Sequence, residues 1–148
     1  MASPSVRDRA IRLLARREYA RAELEQRLLA RGGERSEVTA ALDELASEGL
    51  LSDARYARSL LVRKSGNYSR RRIVQELKAA GVTRDEIEAA LDEAQVDDDA
   101  ALIALWQRRF GRAPGDEREK ARQVRFLQSR GFALSAILKL LRSRAVGE

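Results

Sequence analysis

The chain has 148 residues, is 44% hydrophobic and 35% charged, carries a net charge of +6, and contains neither Cys nor His. That removes disulfides and thiolate nucleophiles, together with the usual general base, metal ligand and pH switch. No apolar run is long enough to cross a bilayer and no apolar signal core opens the chain. The expected protein is cytoplasmic and not an enzyme, with no cofactor or metal.

Arg, Ala, Leu and Glu dominate and there are only two prolines, a composition that favours helix. In chain order, Val6, Ala10, Leu13 and Leu14 recur at helical spacing behind a cap and first-turn proline expected from Ser3 and Pro4. Leu24 and Leu28 share the face of a second helix that ends near Gly32 and Gly33. Val38, Leu42 and Leu45 line a third that ends near Gly49. Ser52 and Asp53 then offer an N-cap pair for a helix with Tyr56, Leu60 and Leu61 on its apolar stripe. Ser65-Gly66-Asn67 breaks it, and Ser69 caps a helix with Ile73, Leu77 and Ala80 inside. After Gly81, Thr83 to Glu86 has the spacing of a capping box for a helix that buries Ile87, Ala90 and Leu91. Asp97, Asp98 and Asp99 resemble a metal site but read better as N-terminal capping of a helix carrying Leu102, Leu105 and Trp106. Pro114-Gly115 breaks that unit. Asp116 to Glu119 caps the next helix, which ends at Gly131, and Ile137, Leu138 and Leu141 mark the last.

Three of these stretches share one frame: Glu23 to Gly32, Arg72 to Gly81 and Arg122 to Gly131. Leu28, Leu77 and Leu127 precede the three glycines by the same interval. Val38, Ile87 and Ile137 follow them by another, and Leu42, Leu91 and Leu141 by a third. A fixed apolar frame that recurs every 50 residues or so means one helical unit used three times. The expected fold is all-α, with three tandem three-helix, helix-turn-helix-like repeats over 1–50, 51–96 and 97–148, in an elongated, curved molecule. Such a surface suits another long object better than a small enclosed substrate.

The charge is uneven. Lys/Arg against Asp/Glu runs nine to nine over 1–50, nine to seven over 51–96 and eleven to seven over 97–148. A rising basic excess fits nucleic acid or an acidic protein groove. Arg70, Arg71 and Arg72 stand in the first turn of their helix, against the local dipole, with Lys64 just before the loop and Lys78 a turn and a half on. With free N–H groups beside them they would welcome a phosphate or carboxylate. Arg118, Arg122 and Arg125 form a second stripe at i, i+4, i+7, and Arg130 closes that helix. A solvated charge run is the alternative for both. Trp106 reads as core; Tyr68 and Phe126 are open between core and contact.

Taken together, GLLSDARYARSLLVRK (Gly49 to Lys64), RRIVQELKAAGV (Arg71 to Val82), AELEQRLLARG (Ala22 to Gly32) and VRFLQSRGF (Val124 to Phe132) resemble the recombination regulator RecX family, bacterial modulators of the RecA recombinase. The match covers nearly the whole chain through the order and spacing of its segments. It implies three three-helix units, binding in the helical groove of the RecA filament, and inhibition of strand exchange and of RecA ATP hydrolysis. Some members also bind DNA, single- or double-stranded. The expected state is a monomer. Where the family has Gly-Pro before the middle Arg-Ile segment, this chain has Ser69-Arg70, a more cationic and less rigid loop. The rival reading is a helix-turn-helix DNA-binding repressor. Against it, the helices after Gly32 and Gly81 present Glu37, Asp43, Glu44, Glu48, Asp85, Glu86, Glu88, Asp92 and Glu93, which repel phosphate.

Overall fold

The computed structural model describes residues 4–146. Among them it contains nine α-helices and no strand: α1 Val6–Leu14, α2 Arg21–Ala30, α3 Arg35–Ser47, α4 Asp53–Lys64, α5 Arg70–Ala79, α6 Arg84–Ala94, α7 Asp98–Arg109, α8 Glu117–Ser129 and α9 Leu134–Val146. The cap expected at Ser3 lies outside the described residues. Ser5 performs it, its side chain accepting from the Asp8 N–H, and Pro4 stands ahead of the cap rather than in the first turn.

The threefold frame holds at every position. Leu28, Leu77 and Leu127, Val38, Ile87 and Ile137, and Leu42, Leu91 and Leu141 are all buried. Each glycine that ends the frame's helix has positive φ: 89° at Gly32, 87° at Gly81 and 96° at Gly131. That conformation terminates the helix with little strain only because no Cβ is present.

The described chain forms two compact units. One comprises residues up to Leu61 together with Glu76–Ala94; the other comprises Val62–Gln75 together with the residues from Gln95 on. The helices α4 and α5 of the middle repeat contribute to both. In the first unit α1, α2 and α3 pack on one another around Leu24, Leu28, Val38, Leu42 and Leu45. In the second, α9 packs on α7 and α8 around Leu102, Leu105, Trp106, Leu127, Phe132 and Ile137. Trp106 is core, as its spacing predicts. Its indole N–H donates to Gln123 Oε1 at 2.9 Å, and the Gln123 amide donates on to the Arg112 carbonyl at 3.1 Å. A buried glutamine is tolerable because both ends of its amide are matched.

Both units use the same two joints. In the first unit, α2 begins after Ala20, whose methyl cannot accept a hydrogen bond. Asp53 satisfies a different donor at this end, the N–H of the first helical residue, Arg21, at 2.7 Å. Gly81 lies directly on this end, where an added Cβ would come within 2.7 Å of the Ala22 Cβ. In the second unit, Asp98 takes the Arg70 N–H at 2.7 Å, and Gly131 lies on Ser69 and Arg72. Ser69 is buried there, its N–H donating to the Arg130 carbonyl at 2.9 Å. At Gly32 an added methyl would meet nothing within 4 Å, so its conformation serves the turn alone.

The Asp53-Ala54-Arg55 run is spent on these joints. Arg55 Nε reaches Glu18 at 2.8 Å, and its other nitrogens donate to the Gly49 and Leu50 carbonyls at 2.9 and 3.1 Å. The acidic run divides its work as well. Asp97 caps α7, accepting from the Asp99 and Ala100 N–H groups, while Asp98 serves α5. No group of three His, Cys, Asp or Glu side chains among the described residues could hold a metal.

The expected capping box at Thr83 is half formed. Thr83 Oγ1 accepts from the Glu86 N–H at 3.3 Å, but Glu86 Oε2 is buried with no partner. Burial first, and the nearby charge of Asp53 second, raise the Glu86 carboxyl above its ordinary range.

Candidate interaction surface

The second unit gathers most of the basic residues singled out by sequence. Its α4–α5 loop presents Tyr68, and three cations approach the ring: Lys64 at 4.4 Å from the centroid, Arg130 at 4.8 Å and Arg72 at 5.4 Å. Arg130 reaches a second ring as well, Phe126 at 4.9 Å, which Arg109 also faces at 5.1 Å. Phe126 meets Phe110 edge to face at 5.6 Å. Cations and rings thus alternate from Lys64 to Phe110. Each such contact is worth about 0.5–1 kcal/mol at an exposed site.

The two aromatics left open by sequence are both half-buried with cations of the chain over their rings, and Phe126 also packs against the core of the second unit. The loop is braced by Arg108, which donates to the Gly66 carbonyl at 2.9 Å and to Asn67 Oδ1 at 2.8 Å. It is therefore held in place without the Gly-Pro that the resemblance leads one to expect.

The triplet at the start of α5 differs from the expectation in one respect. Its N–H groups are not all free: Asp98 takes that of Arg70, and Ser69 Oγ takes that of Arg72 at 3.1 Å. The side chains also diverge. Arg72 turns inward, donating to the Ser129 carbonyl at 2.8 Å, whereas Arg70 and Arg71 are exposed. Arg71 and Arg72 line a shallow recess with Gln75, Gln128 and Asp98. Two of the first three N–H groups of α5 thus already have acceptors, so an external anion would meet chiefly the arginine side chains.

Arg118, Arg122 and Arg125 are exposed and share one shallow cleft with Asp116 and Glu119. Glu119, the carboxylate placed to reach Arg122, turns back instead to accept the Gly115 N–H at 2.7 Å. Lys78 stands exposed on the last turn of α5, in the first unit, and belongs to neither cluster.

Sequence reasoning missed Arg108, Arg109 and Phe110. The adjacent Arg-Arg-Phe at the end of α7 was the available signal. It also missed the role of Asp98, whose partner lies 28 residues away.

Comparison with known proteins places the chain. Family models for RecX match residues 7–45 as the first three-helix domain, 52–91 as the second and 97–141 as the third. The chain belongs to the RecX family. It is 42% identical to the regulatory protein RecX of Leptothrix cholodnii, covering 93% of this chain and 88% of that one. It is 46% identical to that of Pseudomonas savastanoi pv. phaseolicola, covering 95% and 92%. Among solved structures, RecX from Lactobacillus salivarius superposes with a TM-score of 0.65 at 21% identity, covering 95% of both chains, which bears on the fold. All-α architecture in three tandem three-helix repeats is thus common to this chain and its family, and the relatives are named as regulatory proteins.

Proposed function

We propose that this regulatory protein binds the RecA–DNA filament in its helical groove and lowers RecA strand exchange and ATP hydrolysis, so modulating recombination and DNA repair. The observation that carries the reading is the alternation of Lys64, Tyr68, Arg72, Arg130, Phe126 and Arg109 on the second unit, beside the exposed arginines of α8. Such a surface fits an acidic groove wall or the DNA inside it. Repeats over 1–50, 51–96 and 97–148 offer several weak contacts to one filament, and linked contacts add through effective concentration. The protein acts as a monomer in the cytoplasm, by occupancy rather than catalysis.

A helix-turn-helix repressor fits less well. Glu37, Glu44 and Glu48 at α3 and Asp85, Glu88, Asp92 and Glu93 on α6 are exposed, and they would face the phosphates of a duplex read by those helices.

The test is a pulldown on RecA filaments assembled on single-stranded DNA, with DNA-free RecA and bare DNA as controls, followed by RecA ATPase and strand-exchange assays. Filament capture with loss of both activities is expected. No effect on RecA at saturating protein would overturn the proposal.

A further inference from the structure

The two units carry the same joint in different electrostatic states, and the difference marks a binding surface. At the first joint Asp53 caps α2, and the cations around it are answered. Arg21 pairs with Asp43 at 2.6 Å and Arg55 with Glu18 at 2.8 Å. At the second joint Asp98 caps α5 in the same way, but the cations there are not answered. Arg72 is spent on a backbone carbonyl, and Arg70 and Arg71 are exposed with no carboxylate on their guanidinium groups among the described residues. Asp98 is the acidic side chain in the recess that Arg71 and Arg72 line with the amides of Gln75 and Gln128. The recess therefore has cationic and amide donors in excess of its own acceptors.

We infer that this recess is a docking site for an acidic segment of a protein partner, whose Asp or Glu side chains engage Arg71 and the neighbouring amides, with Asp98 as a built-in competitor that holds the affinity down. Charge complementarity and size favour a carboxylate side chain: the recess sets Arg71 and Arg72 against Asp98 alone, and the amides of Gln75 and Gln128 flank them. Asp98 also explains how a surface this basic avoids holding every polyanion tightly, because one fixed negative charge within a Debye length opposes each arriving one. The inference rests on this face being the contact surface, but not on which protein is the partner.

The test uses the full chain and a fluorescein-labelled polyglutamate peptide, read by anisotropy across a salt series. Asp98→Asn keeps an oxygen for the Arg70 N–H and removes the charge, and Asn caps as well as Asp. It is expected to tighten binding by about threefold, with an unchanged Tm. Arg71→Ala, at an exposed side chain, is expected to weaken binding by a similar factor and to flatten the salt dependence. Asp53→Asn makes the same charge change at the joint whose cations are paired, and is expected to leave binding unchanged. The inference is overturned if Asp98→Asn binds like wild type, or if Asp53→Asn tightens binding as much. It is also overturned if labelled oligothymidylate responds to these variants while polyglutamate does not, which would assign the recess to nucleic acid. RecA inhibition is scored separately, so loss of this inference and loss of the RecA reading are distinguishable.

Discussion

The carboxylate of Asp53 takes the backbone N–H of Arg21 across 32 positions of sequence, at 2.7 Å. It serves the first N–H of α2, a donor that an N-cap side chain at position 20, which reaches the second or third N–H, would leave open. Asp53→Ala is therefore expected to cost about 1 kcal/mol, as for loss of an N-cap, and Asp53→Asn much less. Urea unfolding of the two variants checks this. Equal stability of the alanine variant and wild type would mean that the bond contributes nothing.

The three frame glycines are expected to differ in their tolerance of alanine. At Gly32 the cost is backbone strain alone, roughly 1 kcal/mol for a non-glycine residue at positive φ. At Gly81 and Gly131 the new methyl also meets the Ala22 Cβ at 2.7 Å and the Arg72 Cβ at 2.8 Å, so helices must move apart. Thermal melts should rank Gly32→Ala above both others. A Gly131→Ala variant as stable as Gly32→Ala would contradict the close approach.

Glu86 gives a pH-dependent prediction with a definite sign. Its carboxyl is raised by burial and by Asp53, so the folded state holds the proton more tightly than the unfolded chain does. Its contribution to stability is present in full below the unfolded pKa and is lost as pH rises through the folded value. At neutral pH the ionised group is a net cost, and Glu86→Gln should stabilise the protein by less than about 1 kcal/mol, since the side chain is partly solvated. The advantage should vanish as pH falls below the ordinary Glu value of about 4.3. Paired melts of variant and wild type across that range decide it.

The arginines of α8 test the contact surface. Arg118, Arg122 and Arg125 are exposed, so alanine at all three should cost no more than about 0.5 kcal/mol per site. Inhibition of RecA should fall and its salt dependence should flatten. In α5, Arg70 and Arg71 should behave the same way, whereas Arg72→Ala should also lower stability through the lost bond to the Ser129 carbonyl. Full inhibition by both sets of variants at physiological salt would remove the basic faces from the proposed contact.

What the sequence made legible follows from locality. Leu28, Leu77, Leu127 and their partners recur at fixed offsets, so helical period and repeat length were visible together, and all nine frame positions are buried. The cap of α7 by Asp97 was visible for the same reason, because acceptor and donors lie within one turn. The Asp98 to Arg70 and Arg130 to Tyr68 contacts join residues dozens of positions apart, and no periodicity encodes them. Glu86 misled because the capping-box spacing was right while the side chain had turned inward, beside Asp53. The clustering of Lys64, Arg72 and Arg130 became visible only once Tyr68 was placed among them.

The borrowed caps also determine where the chain can be cut. A fragment ending at residue 50 would contain every helix of the first repeat yet leave the Arg21 N–H without its acceptor, because Asp53 lies just beyond the cut. A fragment ending at residue 96 would strip α5 of Asp98 in the same way, and would also lose the Arg130 carbonyl that receives the Ser69 N–H. Cuts at residues 50 and 96 thus yield pieces with frayed second helices. Fragment designs for assigning activity to single repeats therefore need to run a few residues past each of these cuts before a loss of function can be attributed to a missing contact rather than to an opened helix end.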